Sequence, residues 1–291
     1  MACVCNNDNG VDRVDCVYGK VVTMSDCLFR LKDVHYCHAG KFPALCGITM
    51  DVSAGQKVAV IGANGTGKST LLTLLDGLIF PDSGTIEAFG KQLTEDALQD
   101  ETYSRFFRSK VGFVFQNPDV QLFCPTVKED IVFGPLQLGI SREETLRRLG
   151  VLAELLEITD LLDRAPHQLS IGEKRKAAIA SVWAIEPDVI LLDEPTAGLD
   201  PLTTRHIVDL IRLASSQGKT VITATHDLHI ISEISDTVFL FDKSKTIIRS
   251  GSPEQVLSDD EFLRKNNLLH IHRHAHKDTI HSHPHVHPDT P

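Results

Sequence analysis

What the chain lacks narrows the reading first. No uninterrupted apolar run approaches the roughly 20 residues that a membrane-spanning helix needs, and the polar start, Asn6-Asn7-Asp8-Asn9, is unlike a secretory signal. The expectation is a chain that stays in the cytoplasm. A basic surplus is missing too. Lys and Arg number 29 against 39 Asp and Glu, a formal net charge of −10, so no dominant nucleic-acid surface is expected. The seven cysteines are odd in number and show no paired framework in a chain of this length, so they are read as thiols.

What is present is ordinary in bulk and specific in detail. With 291 residues and 42% hydrophobic content, the chain can bury one large core, or a core with a subdomain. Its organising stretch is Gly62-Ala63-Asn64-Gly65-Thr66-Gly67-Lys68-Ser69, preceded by an apolar run at 58–61 and followed by Thr70 and a helical pattern to residue 75. This reads as strand, glycine loop, helix. The spacing lets backbone N–H groups turn inward around phosphates while the helix aims its positive end at them. Lys68 then reaches the β and γ phosphates, and Ser69 offers a hydroxyl to Mg²⁺.

Other strands end in polar residues. Residues 111–115 form an apolar run that stops at Gln116, and Asn117-Pro118-Asp119 is turn chemistry. Residues 189–192 run into Asp193 and Glu194, and 220–225 run into His226. In open α/β sheets ligands gather beyond the carboxyl ends of strands, so these groups are site candidates. One of the two carboxylates can hold Mg²⁺ and the other can orient water. Earlier, 29–36 partly alternates like an edge strand, a second strand is expected at 48–52, and Tyr36 closes the first. That ring either stacks on a flat base or is a surface aromatic at a strand end, and spacing does not choose.

From 117 to 168 the character is helical, with Ser141 capping 142–156. Leu169-Ser170-Ile171-Gly172-Glu173 then opens a helix over 174–185 whose first turn, Lys174-Arg175-Lys176, places cations where the dipole prefers acids. A bound anion or plain solvent accounts for that. Pro195 to Asp200 is a tight loop, Pro201 starts another helix, and 238–241 with 246–249 reads as a hairpin.

Both ends differ from the middle. Residues 1–27 are polar, carry Cys3, Cys5, Cys16 and Cys27 in no standard zinc spacing, and are expected to be poorly ordered; Met24 is an alternative start. The last stretch, within 258–291, holds His270, His272, His274, His276, His281, His283, His285 and His287, mostly in H-x-H alternation. Its low apolar content predicts disorder. Clustered imidazoles bind Ni²⁺, Co²⁺, Cu²⁺ or Zn²⁺ without strong selection.

With these pieces assembled, residues 28–257 resemble the nucleotide-binding subunit of an ABC transporter. Gly62 to Ser69 is similar to Walker A, 189–194 to Walker B, Gln116 to the Q-loop, 169–173 to the signature, 197–200 to the D-loop ending at Asp200, and His226 to the switch histidine. Tyr36 matches the adenine-stacking aromatic. The run 115–123, continued by Pro125-Thr126-Val127 and Phe133-Gly134-Pro135, is similar to the energy-coupling-factor group, especially cobalt and nickel importers. One departure is Ile171, where the family's signature usually has a glycine.

The resemblance implies an α/β P-loop NTPase fold with a mainly parallel core sheet, an antiparallel β subdomain and a helical subdomain at about 117–185. It also implies ATP and Mg²⁺ as cofactors, with Mg²⁺ near Ser69, Gln116 and Asp193, and Glu194, His226, Lys68 and Gln116 at the chemistry. Two such subunits, identical or different, would pair head to tail, so that Ser170 and Gly172 of one meet the ATP of the other. Integral membrane subunits would carry the cargo, with this chain peripheral on the cytoplasmic face. A vitamin in place of a metal ion, and a soluble ATPase of DNA or ribosomes, are the alternatives; the latter tend to have long coiled coils or two cassettes, and neither is visible.

Overall fold

The computed structural model describes residues 27–265 and 268, with the strand backbones of Cys16–Val17, Lys20–Val21, His270–His276 and Thr279–His285. The main elements are β1 (Cys27–His38), β2 (Phe42–Ser53), β3 (Lys57–Ile61), α1 (Lys68–Leu75), β4 (Ser83–Ala88), β5 (Lys91–Gln92), α2 (Glu101–Lys110) and β6 (Val111–Val114). There follow α3 (Val127–Gln137), α4 (Arg142–Leu155), α5 (Ile171–Trp183), β7 (Val189–Asp193), α6 (Pro201–Ser216), β8 (Thr220–Thr225), β9 (Thr237–Phe241) and β10 (Ile247–Gly251).

Strand β7 shows how the layers are set. Val189 and Leu191 pack into one apolar cluster with α1 and the β1–β2 hairpin, while Ile190 and Leu192 pack into another with α3 to α6. A strand covered on both faces reads as an unbroken apolar run. The six-stranded sheet has the order β10-β9-β3-β8-β7-β6, parallel throughout except for the β9–β10 pair. Ile61 pairs with Thr225, Ala224 with Asp193, and Val114 with Leu192. The polar groups that follow β3, β6, β7 and β8 therefore emerge along one edge. Helix α1 buries Leu71, Leu72, Leu74 and Leu75, as expected of a helix enclosed between two sheets.

A second, antiparallel sheet has the order β2-β1-β4-β5. Here β1 is interior, not the edge strand that its alternation predicts: Leu31 pairs with Met50 on one side and Ile86 on the other. Alternation reports which face is buried and carries no information about lateral neighbours.

Among the described residues, 118–183 contain helices and no strand. Ser141 caps α4 by accepting the Glu144 N–H at 3.2 Å. Helix α5 starts at Ile171, three residues before the expected start, because Ser170 and Glu173 form a capping box: Ser170 N–H donates to Glu173 at 2.7 Å and Glu173 N–H to Ser170 Oγ at 3.3 Å. The acid in the first turn is thus Glu173, and the three cations fall in the second turn. Each has an acceptor inside the chain: Asp119 for Lys174, main-chain carbonyls for Arg175, Glu157 for Lys176. Ile171 is helical, outside the positive-φ residues, and its side chain is 61% exposed, so this position does not require glycine.

The backbones of His270–His276 and Thr279–His285 pair antiparallel, where the composition predicts an unstructured tail; H-x-H alternation has the period of a strand. Cys3 and Cys5, and the side chains of Cys16 and of the tail histidines, lie outside the described residues. No helix among the described residues is long and apolar enough to cross a membrane.

Candidate functional site

The loop between β3 and α1 depends on a close backbone approach. Gly67 has φ 107°, and a Cβ there would lie 2.3 Å from the Ala44 carbonyl oxygen of β2, so only glycine fits. The turn delivers Lys68 and Ser69 at the start of α1. Thr66 Oγ1 braces it by donating to the Ala63 carbonyl at 2.9 Å. Lys68 is 5% exposed. Its ammonium donates to the Gly62 carbonyl at 2.8 Å and lies 3.3 Å from Glu194 Oε1.

Asp193 and Glu194 are adjacent and differently held. Ser69 Oγ donates to Asp193 Oδ1 at 3.0 Å. At Glu194 the backbone enters the left-handed region, φ 45°, at a cost of roughly 1–2 kcal/mol for a residue with a Cβ, the kind of strain found at functional sites. Its N–H still reaches the Ala224 carbonyl at 2.8 Å, so the turn redirects the carboxylate without losing the sheet bond. Glu194 Oε2 accepts from His226 Nδ1 at 2.9 Å, which fixes the imidazole proton on Nδ1 because a carboxylate only accepts. Burial pushes both carboxyls up. For Asp193 the Ser69 bond does not offset it, and the group stays above its usual range. For Glu194 the His226 bond and the Lys68 charge outweigh burial and hold it below.

These groups border a cavity of about 330 Å³ lined by His38, Phe42, Asn64, Gly65, Gly67, Lys68, Ser69, Thr70, Gln116, Glu194 and Lys245, among others. Gly62, Ala63 and Thr66 shape the loop behind it; Asp193 reaches it through Ser69, and His226 through Glu194. The structure brings these sequence-expected residues together. The oxygen donors of Ser69, Asp193 and Gln116 suit Mg²⁺, a hard cation that prefers carboxylate, hydroxyl and carbonyl oxygens.

Four expected residues lie elsewhere: Ser170, Gly172, Asp200 and Tyr36. Ser170 and Gly172 are outside the cavity of their own chain, as is Asp200. Asp200 caps α6, accepting the Leu202 and Thr203 N–H groups at 2.9 and 3.0 Å and the Thr203 hydroxyl at 2.6 Å. A Cβ on Gly172 would stand 3.4 Å from Thr203, so Thr203 joins the two turns.

Tyr36 is a correction. It packs against the apolar cluster under the antiparallel sheet and is not in the cavity lining. Strand β1 runs two residues past its expected end, so His38, on the same face, reaches the cavity instead. Its Nε2 lies 3.2 Å from Thr70 Oγ1, and its ring meets the Tyr36 ring edge-on at 5.1 Å. Phe42, across the hairpin, and Lys245 were also missed. Lys245 sits in the β9–β10 turn at φ 67°, its carbonyl accepts the Cys46 N–H at 2.9 Å, and its ammonium contacts the Gly65 carbonyl. The aromatic-rich 36–42 stretch carried a signal for the first two. Lys245 had none.

Residues 45–197 match the ABC transporter family. The chain is 44% identical over 244 residues to the nickel import ATP-binding protein NikO of Rhodobacter capsulatus, covering 83% of this chain and 95% of that one. The structure of cbiO1 from Clostridium perfringens, part of the ABC transporter complex cbiONQ, is similar with a TM-score of 0.70 and 36% identity over 84% of this chain and 95% of that one. A dimeric structure of MJ0796, a bacterial ABC transporter cassette, matches with a TM-score of 0.70 and 28% identity, covering 78% of this chain and 99% of that one. Fold, cavity and likeness agree: the chain belongs to the ABC transporter family, as its ATP-binding and ATP-hydrolysing subunit.

Proposed function

We propose that this ATPase powers a membrane importer of nickel or cobalt ions, with transport done by separate integral membrane subunits on whose cytoplasmic face it sits. The observation that carries the hydrolytic part is the convergence of Lys68, Ser69, Gln116 and Glu194 on one cavity at the carboxyl edge of the sheet. ATP enters with its phosphates on the glycine loop and its base toward His38 and Phe42. Ser69, Asp193 and Gln116 would hold Mg²⁺, whose positive charge would offset that of the phosphates. Glu194, ionised and oriented by His226, aligns the attacking water. Lys68, freed from the loop carbonyls, follows the charge that develops on the phosphoryl oxygens.

Two subunits close head to tail. This is supported by the exposed Ser170 and half-buried Gly172 outside their own cavity and by the dimeric relative. Apolar side chains exposed around the segment after Gln116, Val120, Phe123 and Phe133, are the surface offered to the membrane subunit. The cargo reading is supported by the run at 115–123, by the eight histidines of the tail and by the nickel-import relative.

Uptake assays with the membrane subunits test the cargo. Nickel or cobalt accumulation that depends on ATP is expected, and accumulation of a vitamin instead would replace this reading. Deleting residues 270–291 should leave basal ATPase activity intact while lowering Ni²⁺ or Co²⁺ binding; unchanged binding by calorimetry removes the tail from the account.

A further inference from the structure

Helix α5 grips the segment leading from β6 into the cavity at three points. Lys174 Nζ meets Asp119 Oδ1 at 2.6 Å. Arg175 Nη1 donates to the Phe115 carbonyl at 2.7 Å, and Nη2 to the Gln116 carbonyl at 2.6 Å. Gln121 accepts the Phe115 N–H at 3.2 Å and donates to the Ala178 carbonyl at 2.9 Å and to Ser181 at 3.1 Å.

The three grips differ in kind. The Lys174 pair is formed with an exposed carboxylate, and pairs of that type contribute little. Arg175 is 2% exposed, and its planar fork takes two successive main-chain carbonyls at once in a fixed geometry, which a lysine's freely rotating ammonium does not impose. Its Nε–H is buried without a partner. A buried cation that bonds no carboxylate and leaves a donor unmet is a poor stabilising device, and what its fork does fix is the path of the backbone at Gln116. Along α5, Arg175 stands about 7 Å from Ser170.

We propose that Arg175 is a positioning residue that ties Gln116 to the orientation of α5, so that the Gln116 amide in one cavity and the Ser170–Gly172 turn at the helix start move as one body. The proposal rests on the head-to-tail pairing given above. In that arrangement Gln116 serves the ATP of its own subunit and Ser170 the ATP of the partner, so Arg175 couples the two sites. Its removal releases the Gln116 carbonyl from α5 and so uncouples them, while the Gln121 bonds still hold Phe115 and the glycine loop stays intact.

The test uses the full chain in its ATPase dimer, with Arg175→Met, Arg175→Lys, Gln116→Ala and the Arg175→Met/Gln116→Ala double variant. Fluorescent ATP binding, hydrolysis against ATP concentration and thermal unfolding are measured for each. Arg175→Met should bind ATP within about threefold of wild type, lose about 10- to 100-fold in kcat, and show a Hill coefficient reduced to one. Arg175→Lys should recover the melting temperature without recovering the Hill coefficient. Adding Arg175→Met to Gln116→Ala should lower kcat by less than about twofold, because both act through Gln116. A purely structural Arg175 would instead give a rate that falls only with the folded fraction and an unchanged Hill coefficient. That result, or multiplicative losses in the double variant, overturns the proposal. A wild type that hydrolyses ATP with a Hill coefficient of one also overturns it and leaves the ATPase assignment standing; one that neither binds nor hydrolyses ATP defeats the assignment itself.

Discussion

The two ends of helix α1 each bury a carboxylate, and they treat it in opposite ways. At the N-terminus, Glu194 is 4% exposed but faces the Lys68 ammonium and the His226 ring, and its carboxyl is held below the usual range. At the C-terminus, Asp76 is 6% exposed and has one partner, Arg108, which is itself partly in solvent and lies 3.1 Å away. Burial wins there, and Asp76 is pushed up to about 7. The helix dipole works in the same direction at both ends, favouring the anion at the first and disfavouring it at the second. One half-solvated cation does not offset desolvation, whereas two convergent donors and a helix N-terminus do.

The comparison can be broken at its functional end first. Glu194→Gln keeps the shape and removes the charge, so turnover should drop roughly 10² to 10⁴-fold while ATP binding survives. Phosphate release near the wild-type rate from the purified variant would show that the well-ionised carboxylate is not the group that aligns water.

The structural end is tested by pH. Because folding raises the Asp76 carboxyl from 3.8 to about 7, the folded state keeps a proton that the unfolded chain releases over that interval, so stability falls as pH rises through it and levels off above. Each pH unit is worth about 1.4 kcal/mol, so Asp76→Asn, which still accepts from Arg108, should gain about 2–4 kcal/mol near pH 8 and lose the slope. Denaturation midpoints that run parallel for the two proteins from about pH 5 to 8 would mean that this burial carries no penalty.

The smallest effect sharpens the functional end. His38 is bonded to Thr70 in the first turn of α1, so His38→Ala should weaken nucleotide binding about 3- to 10-fold, near the value of one ring contact, with kcat unchanged. Tyr36→Ala should do less. An equal loss for both, measured by titration with a fluorescent nucleotide, would return the base to Tyr36.

Much of this was legible in the chain. The glycine loop, the apolar run into Asp193-Glu194 and the strand ending at His226 are local patterns, each dictated by the period of a buried strand and the demands of a phosphate. The errors came where lateral or long-range packing decides. The apparent edge character of β1, the choice between Tyr36 and His38, and Lys245 above Gly65 all depend on neighbours distant in sequence. The basic turn of α5 shows the same limit: its sequence fits a bound anion or plain solvent, but its cations are taken by Asp119, by the carbonyls of Phe115 and Gln116, and by Glu157.

The sequence by itself determined the chemistry, because phosphate binding needs glycines, a lysine and a hydroxyl at fixed spacing, and strand ends deliver polar groups to one edge. Only the tertiary structure decided which ring lines the cavity, which buried carboxyl is held below its usual range and which arginine holds Gln116. Those outcomes depend on burial and on the direction of partners brought from elsewhere in the chain, and neither quantity is written in local spacing.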